Sequence, residues 1–428
     1  MNILRERPVV VMQAPAEEKS GLWGVFQFPK IWRTPQGVLQ YRVNVAQDLY
    51  GGIGVHEPAW FYQSDDEGAS WRKIRSDDVR NPLVTARLPD GTEVATVRDM
   101  VTNTHELNTQ IDVAAHGLRP VFGHVSVNRV GYYEFYRYED IPERDRTFTL
   151  MRRPRGGQWR ETTGVLDAPQ LLTRAVTKTR RGRDREWEDV QPAAWRLAPS
   201  HLAVGSDGAL LSTVVSQASD MRGRRFDEDY CIASTDGGRT WTVRGVIAND
   251  KTLATDGYSG AEDSLVRLRD GTLLCAMRTD MCALSDEGSM YTALSVSRDD
   301  GYTWSTPRPI AESSVTPHLV VLREDVVALV HGRPGVHVVV SENGGTDWDH
   351  RVRIVGSRYF EIAEKARLEG DEVIRMYEWN HGHDSCSNTD VLPLDDSSFL
   401  IAYSDFGHID EKGSVRKANL VQKVTVHP

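Results

Sequence analysis

The sequence lacks most of what would mark a membrane, disulfide-stapled or helical protein. No window of its 428 residues approaches the roughly 18 uninterrupted apolar side chains of a spanning helix, so no membrane partner is expected. Cysteine is scarce: Cys231, Cys275, Cys282 and Cys386 show no CxxC spacing, which excludes a disulfide framework and a zinc ribbon. Basic charge is in deficit, with 51 Lys and Arg against 61 Asp and Glu, a formal charge of −10 that argues against nucleic acid as a partner. The start holds only a five-residue apolar run, too short for a secretory signal, so a cytoplasmic location is expected, with secretion if a signal had been removed. Helical periodicity appears nowhere at length. What remains is 39% hydrophobic and 26% charged residues, the balance of a globular protein long enough for one large all-β domain or for two or three ordinary ones.

Repeats carry the fold. The pattern Ser, gap, Asp, gap, Gly, two gaps, Trp runs over Ser64–Trp71, Ser234–Trp241 and Ser297–Trp304, and a fourth copy, Ser341–Trp348, has Asn343 in place of Asp. A frayed fifth copy covers Met151–Trp159. In such a turn the Asp side chain accepts backbone N–H groups two residues on, Gly supplies a positive φ, and Trp buries apolar surface beneath it. These residues read as structural pins. Upstream lies a second repeat, an apolar hairpin around a D-G-like turn, at Phe28 to Leu39, Pro82 to Val97, Pro199 to Leu211, Glu262 to Ala276, Pro317 to Val330 and Thr389 to Ala402. Hairpin and turn are offset by 36 residues in the first copy and by 35 in the third and fourth.

Tandem four-stranded units imply an all-β fold, a β-propeller with six blades favoured and seven possible. It would form a single domain over 1–428 with a charged insertion around 160–195, where the Lys- and Arg-rich stretch Arg174 to Arg185 reads as a solvated loop. The seventh blade, if present, would lie between residues 100 and 198. Ring closure is expected to pair Pro8 to Met12 with Lys417 to Val426.

The four turns are Asp-box repeats, and from about residue 8 onward the chain resembles the sialidase superfamily of β-propellers. In that family three arginines clamp a substrate carboxylate, a Glu activates a Tyr nucleophile, and an Asp is acid/base. The resemblance implies that Glu262 and Arg278 are the family's Glu and second arginine, and Arg333 its third. It breaks elsewhere. Gln27-Phe28-Pro29 stands where sialidases have Arg-Ile-Pro, so the first guanidinium fork is missing. Ser387-Asn388-Thr389-Asp390 offers no Tyr, and Asp48, with His56 and Glu57 nearby, only approximates the acid/base position. An ordinary sialidase is not expected.

Propeller geometry points to a site independently, because the first strand of each blade lines the axis. The residues entering those strands are Lys30, His201, Glu262 with Asp263, His318, and Asn388 with Asp390, polar where a core should be apolar. The choice is between an ion-paired tunnel and a functional pocket. Tyr258 precedes Glu262. The segment Tyr377–Asp384 brings Trp379, suited to stacking on a sugar, and His383, suited to general-base work. His-x-His-Asp without a third ligand is not a metal site, and no cofactor is expected. Trp23 and Trp32 are either pocket walls or core.

Three functions compete. A sialidase-like glycoside hydrolase would act exo on a non-sialic, acidic oligosaccharide, with Glu262 and Asp48 or Asp390 as the carboxyl pair, and Arg278, Arg333, His201, His318, Lys30, Gln27, His56 and Trp379 around the substrate. An oligosaccharide or polysaccharide lyase would cleave a uronate linkage by β-elimination through His383, His201 or Tyr258. A non-catalytic glycan-binding propeller would use the same pocket without turnover.

Overall fold

The computed structural model describes residues 1–15, 26–45, 59–80, 83–97, 110–113, 115–125, 131–180, 187–195, 197, 199, 201–219, 225–249, 258–281, 291–311, 315–332, 335–355 and 388–427. They fall into two compact units, Met1–Leu49 with His56–Pro82 and Ile310–Pro428, and Tyr50–Val55 with Leu83–Pro309.

The first unit holds two four-stranded antiparallel meanders and one five-stranded sheet. The meanders are Gln27–Arg33, Leu39–Asn44, Ala59–Ser64, Arg72–Ile74 and Val315–Val321, Val327–Gly332, Val336–Ser341, His350–Val355. In the third sheet Thr389–Pro393, Ser398–Ile409 and Val415–His427 are joined by Asn2–Arg5 and Val9–Gln13, both antiparallel to the last strand. The expected closure is thus present, with Val9 opposite Val421 and Met12 opposite Asn419. Strand Ser398–Ile409 shows why these runs are apolar on both faces. Phe399 and Ile401 pack with Ala328, Val330 and Val338, while Leu400 and Ala402 pack with Leu39, Tyr41 and Val43, so period-2 alternation feeds two cores.

The second unit contains three more four-stranded antiparallel groups, linked by short parallel pairings (Val165–Asp167 with Thr240–Thr242, and Asp227 with Ser259) into one 12-stranded sheet. They are Leu83–Arg87, Glu93–Val97, Thr147–Arg153, Arg160–Asp167; Ala203–Val204, Leu210–Ser219, Arg225–Ser234, Thr240–Ala248; and Tyr258–Arg267, Leu273–Met281, Tyr291–Ser297, Arg308–Ala311. Such units are the blades of a β-propeller, and all six expected hairpins form. A further sheet of this unit corrects the sequence reading. Leu172–Arg180, expected in part as a solvated loop, is a strand between Gly131–Arg137 and Trp187–Trp195, with Phe122–Val125 and Gln110–Asp112 at the edges. Its basic residues misled because they alternate with buried ones. Thr173 and Ala175 are buried, and the Arg174 guanidinium lies 4.9 Å over the Tyr133 ring instead of in solvent. This five-stranded sheet does not follow the meander order of a blade.

The four turns share one hydrogen-bonding scheme. The first-position Ser is buried and accepts the Gly N–H four residues on, at 2.8 Å in three copies and 2.9 Å at Ser341. Its hydroxyl donates to the Asp or Asn Oδ1 at 2.8–3.0 Å. That oxygen accepts a further N–H four residues on, from Ser70, Thr240, Thr303 and Asp347, rather than two residues on as expected. The two-residue Asx pattern belongs instead to the inner hairpins, at Asp90, Asp207 and Asp270. The Gly φ values of 83–96° explain the residue choice, and each indole N–H donates to that Gly carbonyl. Only Trp241 is fully buried; the frayed fifth copy turns at Gly156 without a Ser–Asp pin.

Candidate active site

Three inner strands carry the same irregularity. Register slips by one residue between Gln27 and Lys30, between Ala261 and Ser264, and between Val315 and His318, so that two residues face one on the next strand. The first bulged residue is left-handed each time: Phe28 at φ 56°, Glu262 at φ 50° and Thr316 at φ 42°. None is Gly, and each conformation costs on the order of 1–3 kcal/mol. Strain repeated at one position of three inner strands marks where a fold re-aims side chains.

In the second unit this bulge presents Glu262. Its Oε1 accepts a 2.8 Å hydrogen bond from Arg278 Nη1, and both side chains are partly exposed, at 33% and 16%. Asp263 follows, with its Oδ2 buried and without a hydrogen-bond partner among the described residues. His201 Nε2 lies 2.9 Å from the Asp263 carbonyl, and because a carbonyl only accepts, that nitrogen carries the proton. Burial, and then the Asp263 and Asp229 carboxylates, push the Cys275 thiol well above its ordinary value; burial raises Cys231 to about 12. Neither cysteine is poised as a nucleophile.

In the first unit three neighbouring inner strands meet at Asp390, whose side chain is 8% exposed. Its Oδ2 accepts the Ile31 N–H at 2.8 Å, and its Oδ1 lies 3.5 Å from Lys30 Nζ and 3.8 Å from His318 Nε2. His318 Nε2 donates to the Thr389 carbonyl at 2.9 Å, as His201 does to Asp263. Thr316 and Thr389 clasp reciprocally, with Thr389 N–H on Thr316 Oγ1 at 2.8 Å and Thr389 Oγ1 on the Thr316 carbonyl at 3.2 Å. Gln27 is wholly buried, and neither amide atom has a hydrogen-bond partner among the described residues.

Lys30, His318 and Asp390 therefore come together, as do Glu262, Arg278 and His201. Polar strand entries are tied to neighbouring strand edges, a role the sequence did not show. Trp32 resolves to core, buried with its indole N–H on the Arg80 carbonyl at 2.7 Å. Asp48, His56, Arg333, Trp379 and His383 lie outside the described residues, and of Tyr258 only the strand is described. Asp263 was named only as a polar strand entry and the Thr316 clasp was missed; the one signal was that the bulges read Phe28-Pro29, Glu262-Asp263 and Thr316-Pro317, so Asp263 replaces a proline.

No curated protein matches the chain. A protein of unknown function from Dyadobacter fermentans is 15% identical over 99% of each chain, with a TM-score of 0.52, and shows a shared fold. An α-L-arabinanase from Penicillium chrysogenum is 11% identical over 98% of each chain, at a TM-score of 0.47. An intramolecular trans-sialidase from Ruminococcus gnavus is 15% identical over 98% of each, at 0.42. The family model described as a BNR repeat-like domain matches residues 146–417, from the third strand of the second four-stranded unit into the final strand. A match over more than half of the sequence, on a chain of four-stranded sheets pinned by repeated turns, places this protein in the BNR repeat-like domain family.

Proposed function

We propose that the chain is a sialidase-like glycoside hydrolase that removes a terminal sugar from a non-sialic, acidic oligosaccharide. The observation that carries this reading is Glu262, a partly exposed carboxylate held on Arg278 at a strained, left-handed bulge. Strain at that position needs a compensating use, and a carboxyl group set beside a guanidinium is suited to moving a proton at a glycosidic oxygen while the cation orients substrate. Asp390, in the first unit, is held by Lys30, His318 and the Ile31 N–H; it is a second carboxyl group of the kind that can activate water or attack a sugar carbon. Arg333 would assist binding, Trp379 would stack on the sugar, and His383 would be a reserve base, with Asp48, His56 and Tyr258 as the further candidates the sequence offers.

A second reading rests on the two histidines. His201 and His318 each set Nε2 against a main-chain carbonyl, and an imidazole is the type of base that abstraction of a proton beside a uronate carboxylate needs. A screen over acidic and neutral oligosaccharides, reading reducing ends and ultraviolet absorbance together, separates the readings. New reducing ends without absorbance, lost by roughly 100-fold or more in Glu262→Gln, support hydrolysis. Absorbance of an unsaturated uronate establishes elimination. Silence leaves a binding propeller.

A further inference from the structure

The second residue of each bulge is where this chain departs from its own pattern. Pro29 and Pro317 occupy the position in two inner strands, and Asp263 occupies it in the third. Proline there shows that the position asks only for an extended backbone without a donor. Nothing in the strand requires a carboxylate. Asp263 nevertheless places one there, with Oδ2 buried and without a hydrogen-bond partner among the described residues. A carboxyl oxygen shielded from water and left without donors among the described residues is costly, and chains tolerate it where something else supplies the donors. The neighbouring cation does not: Arg278 Nη1 is on Glu262. Nor does His201, which donates to the Asp263 main-chain carbonyl instead of its carboxylate.

We propose that Asp263 is a substrate-binding residue that accepts hydrogen bonds from a pair of adjacent neutral hydroxyl groups, so that the Glu262–Asp263 bulge receives a sugar diol. A carboxylate has two acceptor oxygens and no donor, which matches vicinal hydroxyls. With Glu262 beside it, the same bulge repels a carboxylate on the ligand. This rests on the hydrolase reading and deepens it: the acidic group of the oligosaccharide lies away from this bulge, and the ring held here is neutral.

The test is binding to the full chain, by calorimetry, of D-galactose, D-xylose, D-mannose and L-arabinose, of D-glucuronate and D-galacturonate, and of calcium chloride. Wild type, Asp263→Asn and Asp263→Ser are compared, with far-UV circular dichroism confirming that each folds. At least one neutral sugar should bind the wild type, and both variants should weaken it at least tenfold, about 1.4 kcal/mol. The deoxy analogue of that sugar, lacking one hydroxyl of the pair, should bind wild type and variants alike. Equal affinity of the sugar for wild type and variants overturns the inference, as does binding of the uronates alone or of no sugar. Calcium binding that vanishes in Asp263→Asn overturns it in favour of a cation site. The two readings fail separately. Sugar binding through Asp263 without turnover of any oligosaccharide sinks the hydrolase and leaves the diol site, whereas turnover with an unchanged KM in Asp263→Asn sinks the diol site alone.

Discussion

Replacing Ser234 by Ala tests the turn scheme most directly. The Ser234 hydroxyl accepts the Gly238 N–H at 2.8 Å and donates to Asp236 Oδ1 at 2.8 Å, in a side chain only 2% exposed. Removing it leaves the Gly238 N–H buried without an acceptor, a cost of about 1–3 kcal/mol, and deletes a bond to a charged acceptor, for a total of about 3 kcal/mol. Asp236→Asn is the internal control, because Asn343 already fills that place in the fourth turn with the same acceptor geometry. It should cost under about 1 kcal/mol near neutral pH. Asp236 also gives the pH sign. Burial raises its pKa, but hydrogen bonds from Thr240, Ser234 and Arg239 outweigh burial and leave it low. Its contribution is therefore present above the ordinary carboxylate pKa of about 4 and lost as pH falls below it, so Asp236→Asn should flatten the acid limb. Urea denaturation followed by circular dichroism reads both, as a lower midpoint at unchanged slope. A loss below about 1 kcal/mol in Ser234→Ala, or an equal loss in Asp236→Asn, would refute the scheme.

His331 is buried opposite the third bulge, where the second has Met277, and its ring stacks on His337 at 5.3 Å. Burial first, then His337 and Arg351, lower its pKa to about 3. A depressed histidine stabilises above its unfolded value, near 6.5, and loses that contribution as pH falls, by up to about 1.4 kcal/mol per pH unit. Melting temperatures of His331→Met should thus decline less than wild type between about pH 6.5 and 5; parallel curves would count against it. Thr316→Val keeps the branched shape but strips the acceptor from the Thr389 N–H, and should lose about 1–3 kcal/mol that Thr316→Ser largely restores. Equal urea midpoints for the two variants would show that the clasp contributes nothing.

The pins were legible because each is local: Ser, Asp, Gly and Trp lie within eight residues, and backbone chemistry ties them to one another. The hairpins followed from turn residues between alternating apolar runs, and the closure from two unpaired apolar segments. The bulges were not legible, since a left-handed Glu262 or Thr316 violates the local preference and is held by neighbouring strands. Strand Leu172–Arg180 was hidden by composition, because arginine reads as solvent-facing until a tyrosine ring is placed beneath it. Lys30, His318 and Asp390 were recognised as polar entries, yet their convergence joins residues 30, 318 and 390, a separation that spacing alone does not reveal. Gln27 stood out as a lost guanidinium; that its amide would be buried without a partner among the described residues was a tertiary fact.

The sheet that joins Val9–Gln13 to Val415–His427 has a consequence for how the protein is made. Gln13 must find Ala418, so this pairing closes a loop of about 400 residues, an entropic cost near 5 kcal/mol if nothing between them were ordered. A ribosome has added about 400 further residues before the partner strand exists. Until then Val11 and Met12, buried in the finished sheet, are an unpaired apolar edge. Folding that begins with the intervening hairpins shortens the loop step by step, so assembly is expected to run from the middle outward, with this seam the last to form and the first to open.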